Sequence, residues 1–140
     1  MKLPLSNWTK ILLVFACFAL AILGFLIKLP STFRHYDKEL HSIFYFLAAA
    51  FLNLLFADKK IFRHILIFVA LYLFGVSIEY AQEYSNKLLH SRIHGRYDIE
   101  DVHSNLKGLI AFSICWIIYV TIWFGFNKRR FKQIVKNGES

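Results

Sequence analysis

Proline, glycine and cysteine are scarce in this sequence, whose 140 residues include two prolines, six glycines and two cysteines. So few chain breakers favour long uninterrupted helices over a fold rich in tight turns. Cys17 and Cys115 both lie inside apolar runs, where a small buried thiol is the expected role and a disulfide framework is not. Acidic residues are also few, nine against seventeen lysines and arginines.

Apolar residues are abundant instead. They make up 57% of the chain, and aromatic residues 18%, which is the composition of a membrane protein. The net charge of +8 could indicate nucleic-acid binding, but the basic residues lie mainly between the apolar runs and at the C-terminus, as membrane topology requires. We therefore predict a protein that contacts the lipid bilayer and no nucleic acid.

Four apolar runs predict four membrane-spanning helices, at about residues 8–28, 38–57, 61–84 and 98–127. A cleaved signal peptide is an alternative for the first run, but ten apolar residues follow Cys17 and favour a retained helix. In the third run only residues 65–78 lack charge and histidine, whereas a span needs about 20 residues. That helix must therefore continue through Glu79 to Gln82 or beyond.

The expected fold is one all-α domain, an integral membrane four-helix bundle with both termini on the same side and a basic tail at residues 128–140. The side with the termini and the link after the second helix carries ten lysines and arginines, and the other side seven. Because cytoplasmic loops are enriched in these residues, both termini are expected in the cytoplasm. The polar stretch 79–108 then faces outward.

Asp37, Lys38 and His41 open the second helix, and the spacing of four residues places Asp37 and His41 on one face. A carboxylate beside an imidazole is how a general base or a metal ligand is commonly prepared. Helix capping by Asp37, with His41 hydrogen-bonded nearby, explains the same residues without a site.

Glu79 and Gln82 share a face of the third helix with Glu83. An ionised carboxylate at the edge of the hydrocarbon core is costly, so it normally pairs, is neutralised or faces a wet cavity. The alternative is that Glu79 already lies among the headgroups and is simply solvated.

Asp98 and Asp101 fit the first turn of the fourth helix as a variant capping box, with Asn105 on the same face. Arg96 precedes them and can neutralise a carboxylate with bidentate geometry. On the expected topology the second and fourth helices begin, and the third ends, at one membrane surface. We therefore expect a shared binding site there, with these members: Asp37, Lys38, His41, Glu79, Gln82, Arg96, Asp101 and Asn105.

His90, His94 and Asp98 are spaced by four, as metal ligands on a helix would be, but Gly95 and many polar neighbours argue against a helix there. We predict no metal and no cofactor. The chain also lacks the standard hydrolase and nucleotide-binding motifs.

Three segments, DKELH at 37–41, EYAQ at 79–82 and RYDIED at 96–101, with Asn105 and Gly108, together resemble the VanZ-like family of small bacterial membrane proteins. The step from Gln82 to Arg96 is longer than the family usually has, and Phe112 stands where many members have a second glycine. The resemblance implies a cell-envelope role, since the founding member is associated with resistance to the glycopeptide antibiotic teicoplanin. It does not supply a reaction.

Three functions remain open from the sequence. The first is an envelope protein whose outward cluster binds a polar ligand: a lipid headgroup, a wall precursor or a glycopeptide antibiotic. The second is a membrane-embedded enzyme acting on a lipid-linked substrate, with Glu79 or His41 as general base and Arg96 holding an anionic group. The third is a structural subunit whose cluster only ties helices together. The sequence gives no oligomeric state.

Overall fold

A computed structural model describes residues 5–26, 36–90 and 97–138, with side chains for 5–24, 36–90 and 97–130. Within these ranges the chain forms four helices: α1 (Asn7–Leu26), α2 (Asp37–Leu52), α3 (Ile61–Leu88) and α4 (Ile99–Gly138). One π-helical turn, Asn53–Ala57, extends α2. The prediction of an all-α chain with four helices is confirmed.

Each helix contains a segment long and apolar enough to cross a membrane: Asn7–Gly24, Asp37–Ala57, Ile61–Leu88 and Ile99–Arg130. Large apolar side chains cover the outside of the bundle, for example Phe15 and Leu20, which are 74% and 68% exposed. Such a surface would be unfavourable in water and suits contact with lipid. The chain is therefore a multi-pass membrane protein.

The helix boundaries match the sequence expectation at α3 and depart from it at α4. α3 continues to Leu88, so Glu79 and Gln82 lie well inside it, as the short apolar run predicted. α4 does not end near residue 127: the predicted basic tail continues the same helix to Gly138. Lysine, arginine and glutamine are good helix formers, and no proline or glycine interrupts residues 126–137. The predicted end of the first helix at residue 28 lies outside the described residues.

α2 and α4 make the most extensive contact in the bundle. They approach so closely at Gly108 that a β-carbon there would lie 2.1 Å from the backbone oxygen of Ser42. Tyr45 and Leu109 are buried beside this contact, and Leu71 of α3 completes the core with them. Farther along the pair, the rings of Phe46 and Phe112 meet edge to face. Glycine at position 108 thus sets the distance between the two helices.

The link between α2 and α3 defines one end of the bundle. The ammonium group of Lys10 in α1 donates to the backbone oxygen of Leu55 at 3.3 Å, and Arg63 donates to that of Phe56 at 2.9 Å. These bonds satisfy carbonyl groups that the end of a helix leaves without partners. The ammonium group of Lys59 lies 3.5 Å from the ring centre of Trp123 in α4. At the opposite end, α2 and α4 begin and α3 ends, so the polar residues of these three helix ends meet there.

Candidate functional site

A group of buried polar side chains fills this opposite end of the bundle. α2, α3 and α4 each contribute two members, although the members are far apart in the sequence. We call this group the polar cluster: Asp37, His41, Glu79, Gln82, Asp101 and Asn105. Five are buried, and Asp37 is half-buried at its edge. Of the eight residues that the sequence proposed for a site, six are thus buried or half-buried at this end of the bundle.

His41 lies at the centre of the polar cluster and is held by Asn105. Nδ1 of His41 is 2.9 Å from Oδ1 of Asn105. Because an amide oxygen only accepts hydrogen bonds, Nδ1 carries the proton and donates it. This bond fixes the orientation of the imidazole ring and directs Nε2 away from Asn105.

Two carboxylates face Nε2 of His41. Oδ1 of Asp37 lies 3.9 Å away, and Oδ2 of Asp101 lies 4.0 Å away. Both distances are longer than a hydrogen bond. The three ligand-type atoms lie within 4.8 Å of one another, so these residues form a set that could hold a cation. This set differs from the His90, His94 and Asp98 spacing considered in the sequence.

Glu79 reaches across from α3 to the beginning of α4. Its Oε2 accepts a hydrogen bond from the backbone N–H of Asp98 at 3.1 Å, and only 1% of the residue is exposed. The carboxylate of Asp98 accepts from the backbone N–H of Glu100 at 2.8 Å, as an N-cap does. In a capping box, the third helical residue would bind the N-cap amide. Here Glu79 binds it from another helix, and Asp101 faces His41 instead.

The alternative for Asp37 and His41 holds in part: Asp37 does not cap α2, but the hydrogen bond of His41 to a nearby group is present. The residue before α2 is Tyr36, which makes no side-chain cap, and Asp37 occupies the first helical position. A carboxylate there still interacts favourably with the positive end of the helix dipole. Asp37 nevertheless lies on the same face of α2 as His41, one helical turn before it.

The outer rim of the polar cluster is built from ion pairs. Lys38 pairs with Glu100 and so joins the first turns of α2 and α4, with both side chains about half exposed. The ammonium group of Lys87 lies 3.3 Å from the carboxylate of Glu83, one turn earlier in α3. Lys38 was expected in the site itself, and the structure places it at this rim.

Two residues considered in the sequence, Arg96 and His94, lie outside the described residues. His90 follows α3 and adopts a positive φ of 48°. His90 is therefore not in a helical conformation, which the alignment of His90 with Asp98 on one helical face would require.

The polar cluster continues inward to Tyr45 and Gly75. A β-carbon at Gly75 would lie 2.8 Å from both the amide nitrogen of Asn105 and the hydroxyl of Tyr45. Tyr45 is only 1% exposed. The small residue on α3 therefore makes room for the side chains that surround His41.

A second polar group, at the link end, was not recognised in the sequence as a unit. Nδ1 of His64 donates to Oδ1 of Asn53 at 2.8 Å, and its Nε2 lies 3.1 Å from the hydroxyl of Ser113. The amide of Asn53 also donates to the backbone oxygen of Ala49 at 2.8 Å, next to the π-helical turn. The ring of Trp116 stacks on His64 with centres 4.2 Å apart. The available signal was a polar residue from each of three largely apolar helices, but spacing within a helix does not reveal which polar residues of different helices meet.

The two groups differ in geometry. Direct hydrogen bonds of 2.8 and 3.1 Å close the His64 group, as expected of a structural tie between helices. In the polar cluster, two carboxylates surround Nε2 of His41 at distances that a small group could bridge. The chemistry of these groups suits a ligand that donates hydrogen bonds or carries positive charge.

No family model, curated protein or solved structure matches the chain. The resemblance to the VanZ-like family therefore stays a prediction carried by the segments quoted above.

Proposed function

We propose that this chain is an envelope membrane protein of the VanZ-like type that binds a polar ligand in the polar cluster. The observation that carries the proposal is the geometry around His41. Asn105 orients the imidazole, and Asp37 and Asp101 face its Nε2 at 3.9 and 4.0 Å. Such an arrangement directs two carboxylates and Nε2 of His41 to one point.

The ligand is a group rich in hydrogen-bond donors, such as a hydroxyl or an ammonium group. Lipid headgroups, lipid-linked wall precursors and glycopeptide antibiotics such as teicoplanin all present donors of this kind. Access is from the end of the bundle, where the side chain of Asp37 is 34% exposed while that of His41 is only 8% exposed. The excess of basic residues beside the termini supports an outward orientation of this end and cytoplasmic termini in an inner membrane.

The structural alternative predicts a closed set of direct hydrogen bonds. Every fully buried side-chain nitrogen or oxygen among the described residues does have a hydrogen-bond partner. However, a tie would be expected to bring Asp101 into hydrogen-bond contact with His41, as Asn53 and Ser113 contact His64. The longer distances from Nε2 of His41 to Asp37 and Asp101 favour a binding role.

Binding can be tested with protein in nanodiscs and three probes: a lipid-linked wall precursor, phosphatidylethanolamine and teicoplanin. We expect at least one to bind, and His41→Ala and Asp101→Asn each to weaken binding about tenfold or more, because a charge-assisted hydrogen bond contributes roughly 1.5–3 kcal/mol. Titration by microscale thermophoresis gives the dissociation constants.

Glu83→Gln is the matched control, since it removes a carboxylate at the same end of α3 that is paired with Lys87 at the rim and is not one of the six members of the polar cluster. Its dissociation constant should equal that of the unmodified protein. Failure of all three probes to bind, or equal weakening by Glu83→Gln, would contradict the proposal.

A membrane-embedded enzyme remains a second candidate because of the hydrogen bond between His41 and Asn105. A neutral imidazole with Nδ1 protonated presents Nε2 as a proton acceptor, as a general base requires. Mass spectrometry of the lipid-linked precursor after incubation with the protein distinguishes the two. Recovery of unchanged precursor from a protein that binds it supports binding alone.

A further inference from the structure

A half-open groove runs between α2 and α4 at the link end, far from the polar cluster. Its volume is about 910 Å³, within the range of ligand-binding pockets. Leu54, Phe112, Tyr119 and Phe124 form much of an apolar wall, and the link residues Lys59 and Lys60 lie at its mouth. The groove therefore combines an apolar channel with positive charge at one end.

The two lysines lie at the depth of a membrane surface. Both follow the span Asp37–Ala57 and precede the next helix, whose span starts at Ile61. Trp123, which the Lys59 ammonium group contacts, is an amphipathic ring of the kind found at membrane interfaces. The mouth of the groove is thus placed where lipid phosphates would be.

Other charges at this end do not cancel those of Lys59 and Lys60. Asp58, the acidic residue at the mouth, lies 3.5 Å from the guanidinium group of Arg63. Among the described residues, no carboxylate lies within 4.0 Å of either lysine ammonium group. The exposed residues Lys128, Arg129 and Arg130 of α4 add positive charge beyond Trp123.

The backbone holds Lys59 in an unusual conformation. Asp58 and Lys59 have φ angles of 47° and 60°, which lie in the left-handed region of backbone conformation. Apart from glycine, asparagine and aspartate, residues rarely adopt this conformation. Lys59 is one of these unusual cases, and its ammonium group is directed to the groove wall at Trp123. Strain of this kind is found where a function depends on the position of a side chain.

We propose that this groove binds one anionic phospholipid, with an acyl chain along the apolar wall and the phosphate at Lys59 and Lys60. An anionic headgroup complements the two ammonium groups, and basic pockets between membrane helices recognise lipids in this way. This site is separate from the polar cluster, and it stands whether or not that cluster binds a ligand.

Tryptophan fluorescence can test the proposal in the full-length protein. Two of the three tryptophans, Trp116 and Trp123, line the groove, so Trp8→Phe confines the signal to it. The protein is placed in phosphatidylcholine vesicles containing acyl-brominated phosphatidylglycerol or, in a parallel series, acyl-brominated phosphatidylcholine. We expect quenching to favour phosphatidylglycerol by roughly tenfold or more, because each lysine near the surface strengthens anionic-lipid binding about fivefold.

Lys59→Asn with Lys60→Gln should reduce this preference to the level of phosphatidylcholine, and asparagine tolerates the left-handed backbone at position 59. The matched control, Lys87→Gln with Lys107→Gln, removes the same charge at the other end and should keep the preference. Ala50→Phe, which fills the groove without changing charge, should weaken quenching by both lipids. Equal quenching of the unmodified groove by the two lipids would overturn the proposal. So would a preference for phosphatidylglycerol that persists in the Lys59/Lys60 variant or in Ala50→Phe, or one that is lost in the Lys87/Lys107 control.

Discussion

Replacing Gly108 by alanine is expected to lower the free energy of unfolding by about 3 kcal/mol or more, at or beyond the upper end of the usual cost of overpacking a core. A β-carbon there would lie 2.1 Å from the backbone oxygen of Ser42, a distance that no side-chain rotation can relieve. The helices α2 and α4 must move apart, and Asp101 and Asn105 of α4 would move away from Asp37 and His41 of α2. Reversible denaturation in mixed micelles gives the free energy.

Gly125→Ala provides the matched control in the same helix. A β-carbon at Gly125 meets nothing within 4 Å, so alanine should be neutral or stabilise the helix by up to about 1 kcal/mol. If Gly108→Ala were no more harmful than Gly125→Ala, the close approach of α2 and α4 would be contradicted.

Glu79→Leu is expected to destabilise the protein by roughly 2–3 kcal/mol and to loosen the first turn of α4. The change removes the acceptor for the backbone N–H of Asp98, and a buried donor without a partner costs about 1–3 kcal/mol. The amides following Asp98 should exchange with deuterium faster than in the unmodified protein. Hydrogen exchange resolved by peptide, together with denaturation, measures both effects.

Glu79→Gln separates the hydrogen bond from the charge. The amide oxygen of glutamine can accept the same hydrogen bond in a side chain of the same length, so we expect a loss below about 1 kcal/mol and normal exchange at the start of α4. Equal destabilisation by glutamine and leucine would contradict the capping role, because it would mean that the negative charge itself is required for stability.

The helices could be predicted because apolar length and helix-start residues are local properties of the chain. The fourteen residues before Glu79 are too few to cross a membrane, so α3 had to include Glu79 and Gln82, and it does. Asp98 likewise identified the beginning of α4. The prediction that α4 ends near residue 127 was wrong. The charged sequence after it suggested a tail, although its residues favour a helix.

Contacts between helices were less accessible from the sequence. That Glu79 would cap α4, and so leave Asp101 to face His41, depends on the relative positions of two helix ends. The His64 group depends on the same kind of information, together with a π-helical turn beside the side-chain bond of Asn53. No periodicity within one helix contains these facts.

Convergence of the polar cluster was inferred from topology and not from any single motif. Helices that begin or end at one membrane surface bring their terminal residues together, which is why Asp37, Glu79 and Asp101 could be grouped in advance. The distances around His41 could not be anticipated, although the proposed binding role depends on them.

The most direct test of the binding role is the stability of Asp101→Asn. If the polar cluster is a binding site, the carboxylate, 4.0 Å from Nε2 of His41, contributes little to folding and repels Asp37. The free energy of unfolding should then be unchanged or higher by up to about 1 kcal/mol, whereas Asn53→Ala, which breaks the His64 group, should lose roughly 1–3 kcal/mol. A loss of about 2 kcal/mol or more for Asp101→Asn would contradict the account and identify the cluster as a structural tie.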